Sequence, residues 1–333
     1  MSSPFPCGFL NVLKPPGMNS HTVVARVRRI LGKGKIGHLG TLDPGACGVL
    51  PLALGGATRT IGYLPPAGKA YLAELTFGYQ TDTLDSFGTV LERRPVGDIT
   101  RAQLEAACNR YRGQIMQVPP SVSALHVNGM RSYQLVRQGV AVDLPARPAY
   151  YHEVSVRSLE WRQGELKAFI HVTCGAGTYV RALIRDLGQD LGCGATMSFL
   201  LRTQSGLFKL ENAVTLEELA NGVEPYLLNV GEVLQSYGIP SLTVRPRRRR
   251  PYERRQELNL PQAHPEWSEG QILLLRDSAS EQYFGLGRLG AGLQRLVIER
   301  LFYPGPDEGG SKTSPDDGNS KTGPDDGSSN KEE

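Results

Sequence analysis

Apolar positions fall into short blocks along this chain, and their spacing switches between a period near two and a period near 3.6. Phe9 to Lys14 is a compact apolar run cut off by Pro15, Pro16 and Gly17, which predicts a short strand. Directly after it, Val23, Val24, Val27, Ile30 and Leu31 recur at helical spacing behind a capping Asn19 or Ser20, with Gly32 at the helix end. Val49 to Leu54 is a continuous apolar run, the pattern of a buried strand. Tyr71, Ala73, Leu75 and Phe77 alternate with Leu72, Glu74 and Thr76, which predicts a half-buried strand. Thr100 and Gln103 form a capping box that opens a helix through Tyr111, stopped by Gly113. Val154 to Val156 and Leu166 to Val172 read as two further strands, Thr178 to Gly188 as a helix, and Thr215 with Glu218 as the cap of another short helix. Strands and helices are interleaved without regular alternation. That predicts an α+β fold: a mixed, largely antiparallel sheet with flanking helices.

Three stretches break this pattern. Residues 119–147 are polar and basic, carrying His126, Asn128, Gly129, Arg131, Arg137 and Arg147, with a helix of only two turns around Ser132 to Gln138. A segment this long with so little structure predicts a functional loop or disorder, with a plain surface loop as the competing reading. Between Arg245 and Arg255 stand seven arginines interrupted by Pro246 and Pro251, the composition of a hinge rather than a helix. Beyond it, Gln271 to Leu275, Gln282 to Leu286 and Arg295 to Phe302 predict short strands of a small barrel. The last thirty residues repeat SKTSPDDGN and SKTGPDDGS and hold almost no apolar side chain, so they predict disorder.

At 333 residues and 40% hydrophobic, the chain can bury one large core and a smaller one. No run of about 18 apolar residues is present and the first residues lack the pattern of a signal peptide, so no membrane span or secretion is expected. Five scattered cysteines without Cys-x-x-Cys spacing read as reduced thiols of a cytoplasmic protein, with no zinc site. The net charge of +4 conceals a split: residues 1–303 hold 34 Lys and Arg against 25 Asp and Glu, while 304–333 hold three Lys against eight acids. A basic body suits a phosphate-backbone partner, and Arg26, Arg28 and Arg29 line one face of the first helix.

The densest chemistry sits in GHLGTLDPGACGVLP, residues Gly37 to Pro51, where Asp43 stands in a loop bracketed by Gly37, Gly40, Gly45 and Gly48. Pro44 fixes the backbone after Asp43 and biases the aspartate away from helix. The loop therefore presents a carboxylate at a rigid, sterically open place that a planar ligand can approach.

This stretch resembles the signature of the TruB family of tRNA pseudouridine synthases, through Gly37, His38, Gly40, Leu42, Asp43, Pro44, Ala46, Gly48, Leu50 and Pro51. LKPPGMNS (Leu13 to Ser20), Lys69-Ala70-Tyr71 and GTYVRALIRDLG (Gly177 to Gly188) resemble further family motifs, in the family's order. The resemblance covers about Phe9 to Leu210, with a weaker echo between Tyr283 and Tyr303. It implies the pseudouridine synthase fold over 1–240, with 119–147 as a flexible thumb, a PUA-like RNA-binding module over 241–303, and an acidic tail over 304–333. It implies isomerisation of uridine 55 in the tRNA T loop to pseudouridine, by a monomer in the cytoplasm that needs no cofactor, metal or obligatory protein partner. That reaction breaks a glycosidic bond, turns the base and rejoins it through carbon, and a carboxylate can attack covalently yet leave again. The family assigns this part to Asp43, which leaves attack on the base ring and on the sugar both open. The target base must be flipped out of its stack. Tyr71 would supply an aromatic face and a proton relay, Arg181 would orient Asp43, Tyr179 and Leu200 would line the uridine pocket, and His38 would hold flipped-out nucleotides.

Three features depart from or compete with this reading. Arg59 stands where the family usually has Lys, which alters any phosphate contact there in detail. Gly45 and Cys47 replace the commoner Leu and Thr, a difference expected to affect packing. Asp82 and Asp85 in QTDTLDSFG lack further ligands for a metal and read as a structural turn. An RNA-binding or tRNA-folding protein with secondary catalysis is the alternative, opposed by the intact set of Asp43, Tyr71 and Arg181. An RNA-guided synthase with protein partners is disfavoured by the short C-terminal module.

Overall fold

The computed structural model describes residues 5–123, 125–127, 129–245, 254–260 and 265–302. The arginine run at 247–250 and the acidic segment 304–333 lie outside the described residues, as does Asn128 of the proposed thumb.

Strand β1 (Gly8–Lys14) leads through helix α1 (Ser20–Leu31) and the short β2 (Ile36–His38) to β3 (Cys47–Leu54). A 3-10 segment, Gly55–Tyr63, precedes β4 (Lys69–Phe77), and β5 (Tyr79–Thr81) with β6 (Val90–Arg93) forms a separate hairpin. Helix α2 (Arg101–Arg110) is followed by β7 (Gly113–Gln117), the small pair β8 (His126–Val127) and β9 (Met130–Arg131), and helix α3 (Ser132–Arg137). Next come the long strands β10 (Arg147–Arg162) and β11 (Glu165–Cys174), helix α4 (Val180–Asp190), β12 (Ala195–Ser205) and β13 (Phe208–Lys209). Helices α5 (Leu216–Ala220) and α6 (Val230–Ser236) close this part.

Among the described residues the main sheet has the order β1-β3-β12-β4-β11-β10-β7, with β2 on β3 and β13 on β12. Every pair along this path is antiparallel except β3 with β12, so the expected mixed, largely antiparallel sheet is observed. Asn19 caps α1 by accepting from the Thr22 amide, and both capping boxes form as read. Sequence reasoning missed β12, and β12 is the junction that matters. It lies between β3, which continues from the Asp43 loop, and β4, which carries Tyr71. Two register shifts, at Met197/Phe199 and Arg202/Gln204, destroy the alternation that marks a strand. The strand expected over Val154 to Val156 is part of the much longer β10, whose outer stretch pairs with β7.

Strands β1 and β3 are buried on both faces, which explains their unbroken apolar runs. Leu10, Val12, Leu50 and Leu52 pack against Val23, Val24 and Val27 of α1. Phe9, Val49 and Ala53 face the other way, into a cluster that includes Val233 and Leu234 of α6.

The remaining strands are β14 (Ser241–Val244), β15 (Glu257–Asn259), β16 (Ile272–Asp277), β17 (Tyr283–Leu289) and β18 (Arg295–Leu301), in the order β14-β16-β17-β18-β15. This second sheet has its own core of Leu273, Leu275, Leu289, Leu296 and Ile298. Its Leu274, Leu286 and the following Phe302, however, join the cluster around Phe9. Polar contacts seal the seam: Arg59 Nη1 donates to the Leu301 carbonyl at 3.0 Å and the Tyr63 hydroxyl to Glu299 Oε2 at 2.7 Å.

Candidate active site

The Asp43 loop is clamped by the start of α1 and the turn before it. The Ser20 hydroxyl is buried and exchanges hydrogen bonds with both the Leu42 amide (3.0 Å) and the Leu42 carbonyl (3.2 Å). The Gly17 amide donates to the Pro44 carbonyl at 2.9 Å. At the loop's far end Gly48 has φ +109°, and a Cβ there would overlap the Arg202 backbone, so only glycine lets β3 approach β12.

Two fully buried cations lie beneath this loop, and sequence reasoning assigned a role to neither. Lys14, at the end of β1, donates to the carbonyls of Ala46 (2.5 Å), Pro15 (2.9 Å) and Pro44 (3.2 Å). Arg202 donates from Nε to the Val49 carbonyl (2.7 Å), from Nη1 to Thr41 (3.2 Å) and from Nη2 to Gly40 (3.4 Å). Among the described ion pairs neither has a carboxylate partner; backbone carbonyls satisfy them instead. Burial pulls the Lys14 ammonium down to about 8, opposed by the neighbouring Cys47 and Asp43. Burial likewise lowers Arg202 below its ordinary value. No apolar period marked either residue: Lys14 falls in the Leu13 to Ser20 motif but at a strand end, where a charge normally signals solvent, and Arg202 lies within β12, which left no visible pattern.

Above this floor Asp43 is 38% exposed and meets Arg181, 5% exposed, with Nε 2.8 Å from Oδ2. Arg181 occupies the first turn of α4 and also donates from Nη1 to the Thr83 carbonyl (2.9 Å) and from Nη2 to that of Val122 (3.1 Å). The guanidinium plane is thereby fixed by three elements at once. The start of α4 is itself fixed by Gln117, a buried residue at the end of β7. Its carboxamide accepts from the Tyr179 amide (3.0 Å) and donates to the Tyr179 carbonyl (3.2 Å) and the Tyr151 hydroxyl (2.7 Å). Gln117 is a further positioning residue without a sequence signal.

Asp43, Tyr71, Tyr179, Arg181 and Leu200 line one cavity of about 200 Å3, together with Ser123 and Lys69. That lies below the ~300–1,000 Å3 of pockets for drug-sized ligands and suits a single planar base. Tyr71 projects from β4 opposite Arg202 of β12, and burial pushes its phenol up to about 12. It is therefore a neutral aromatic wall at physiological pH, with its hydroxyl proton retained.

His38 lies outside this cavity. It borders an adjoining one of about 280 Å3 with Pro51, Pro65 and Tyr237, and Lys69 lines both. Burial, then the neighbouring His21 and Arg202, lower the His38 pKa, so the ring is neutral at pH 7. It packs edge-on against His21 at 5.4 Å, and its Nδ1 has no hydrogen-bond partner among the described residues. Arg59 lines neither cavity and is exposed in the Gly55–Tyr63 segment, bonded to Leu301. Asp82 and Asp85 form a turn, as read: Asp85 Oδ1 accepts from the Thr83 hydroxyl (2.7 Å) and the Phe87 amide (3.1 Å), and Asp82 Oδ1 from the Thr89 amide (2.8 Å). No group of three His, Cys, Asp or Glu among the described residues is placed to hold a metal ion, and no described helix is long and apolar enough to cross a membrane.

Residues 28–180 match the model of the TruB family pseudouridylate synthase N-terminal domain, and 181–235 match that of the tRNA pseudouridylate synthase B C-terminal domain. The chain belongs to the TruB family. Among its relatives, tRNA pseudouridine synthase B of Heliobacterium mobile is 45% identical over 266 residues, covering 79% of this chain and 84% of the relative. That of Synechococcus elongatus is 40% identical over 302 residues, covering 86% and 95%. An H/ACA RNP bound to a substrate RNA containing 2'-deoxyuridine contains a chain that superposes with TM-score 0.60 at 25% identity, covering 89% of this chain and 85% of that one. The TruB protein is thus an isomerase of the pseudouridine synthase class, with that fold and a C-terminal sheet curled like a PUA module.

Proposed function

We propose that this TruB protein isomerises uridine 55 in the T loop of tRNA, with Asp43 as the nucleophile. The observation that carries the reading is the cavity in which Asp43 Oδ2 sits 2.8 Å from Arg181 Nε while Tyr71 and Leu200 form the walls. The relatives' names supply the substrate class.

A uridine entering this cavity leaves its stack, and Tyr71, Tyr179 and Leu200 replace the lost neighbours. The Asp43 carboxylate forms a covalent bond to the nucleotide as the bond from N1 to the ribose breaks. The base turns, C5 takes the place of N1 on the ribose, the proton on C5 departs and N1 gains one, and Asp43 is released unchanged. Nothing is oxidised or hydrolysed in sum, so the scheme closes without a cofactor. Because Tyr71 holds its own proton, it serves as wall and relay: it passes a proton on as it receives one. Arg181 keeps the carboxylate oxygen aimed through each step, and Lys14 and Arg202 supply positive potential beneath the loop.

His38 and Lys69, at the adjoining cavity, would receive a neighbouring flipped-out nucleotide, and Arg59 a phosphate at the seam with the C-terminal sheet. In this reading 1–240 is the catalytic unit with its thumb at 119–147, 241–303 is an RNA-binding module, and the protein works as a cytoplasmic monomer without an obligatory partner. Incubating the purified chain with unmodified tRNA and mapping pseudouridine tests the proposal. Conversion at position 55 alone is expected; conversion elsewhere, or none without an added guide RNA or protein, would overturn it.

A further inference from the structure

Phe87 is 75% exposed at the tip of the turn between β5 and β6. A solitary exposed aromatic needs no explanation by itself. Its seat does. The ring lies directly over Gly45, and a Cβ built on Gly45 would overlap it. Gly45 follows Asp43 by two residues, so the backbone under the ring is no more than about 8 Å from the Asp43 Cα. The glycine at this position, where the family usually has leucine, has its physical reason in that ring.

The turn holding Phe87 is rigid and is wired to the reacting carboxylate. Asp85 accepts from the Phe87 amide, the Ser86 amide donates to the Met197 carbonyl at 3.0 Å, and the Thr83 carbonyl accepts from the same Arg181 that holds Asp43. Phe87 lines neither the Asp43 cavity nor the one bordered by His38. Its outer face is left to water beside a cavity sized for one flipped base. A rigid aromatic face serves a base of any identity, because every base has a π-face.

We propose that Phe87 is a stacking platform, at the rim of the Asp43 cavity, for an unpaired RNA base adjoining the target uridine. The inference rests on the function proposed above. It adds a position-specific contact formed when the loop opens, and it makes Gly45 and Phe87 a matched pair.

The test compares wild type with Phe87→Ala, Phe87→Leu and Phe87→Trp on a T stem-loop RNA, measuring Kd and single-turnover rate. The substrate is then remade with each loop nucleotide flanking the uridine replaced in turn by an abasic residue. Phe87→Ala and Phe87→Leu should weaken binding about five- to twentyfold, the low end for one base–aromatic stack, with the rate at saturating enzyme changed less than about twofold. Phe87→Trp should restore affinity. The loss in Phe87→Ala should vanish for one abasic substrate and persist for the others. A Phe87→Ala protein with wild-type affinity, or a loss equal on every abasic substrate, would overturn the inference, the latter showing a role in folding alone. Tight binding by wild type without conversion would instead remove the proposed function, while the affinities would still decide the part of Phe87.

Discussion

Arg181 meets Asp43 with Nε 2.8 Å from Oδ2, while its two terminal nitrogens hold the carbonyls of Thr83 and Val122. The ion pair is therefore also a structural rivet. The turn carrying Phe87, the segment around Val122 and the start of α4 all converge on one guanidinium, so the carboxylate's aim depends on all three.

Asp43→Asn removes the negative charge at nearly constant shape. Turnover should fall to less than about one part in a thousand, while tRNA affinity stays within a few-fold because it rests on phosphate contacts. Rate and Kd measured on the same preparation check this, and substantial residual turnover would exclude Asp43 as nucleophile.

Arg181→Lys keeps the charge and loses the fork. An ammonium gathers its donors on one nitrogen and cannot span Asp43, Thr83 and Val122 as the spread guanidinium does, so at least one part-buried carbonyl goes unpaired, at a cost of about 1–3 kcal/mol. Denaturant unfolding should show that loss, and kcat should fall by about two orders of magnitude with a smaller change in KM.

Lys14 makes stability depend on pH in an unusual direction. Its folded pKa, about 8, lies below the ordinary 10.5. Between those values the unfolded chain binds the extra proton, so stability rises with pH across that window. The rise should approach about 3 kcal/mol if the whole shift is expressed. Lys14→Met has no such proton, so the difference between wild type and variant should grow from pH 8 to pH 10 in urea titrations. A constant difference would show that the ammonium keeps its ordinary pKa.

Replacing Arg247, Arg248, Arg249 and Arg250 with Ala tests whether this run touches phosphate. Affinity should fall, and the slope of log affinity against log salt should flatten by roughly one unit per lost contact. An unchanged slope would assign the run to a solvated hinge.

Much of this architecture was legible because local rules and tertiary structure agree. Asn19 caps α1 as its type and place require, and Tyr71 lies on a strand whose alternation is intact. The line of motifs led to Asp43, Tyr71 and Arg181, which the fold does bring together. What escaped reading is instructive in each case. Bulges scrambled β12, so Leu200 had a family match but no visible strand. Lys14 and Arg202 look like surface charges, and only the folded chain reveals the carbonyls that accept from them. Gln117 works through its backbone-like amide, which carries no pattern. Nothing in the sequence announced that Arg59, while staying exposed, also donates to the Leu301 carbonyl at the seam with the C-terminal sheet.

Phe9 and Phe302 share a single hydrophobic cluster although almost the whole described chain separates them. Strand β1 leaves the ribosome among the first segments, and its partner in that cluster among the last. During synthesis Phe208, Val233 and Leu234 reach Phe9 first, and only the part of the cluster that Leu274, Leu286 and Phe302 cover waits for the C-terminal sheet. A nascent chain halted before Phe302 would expose that part beneath an otherwise assembled catalytic sheet.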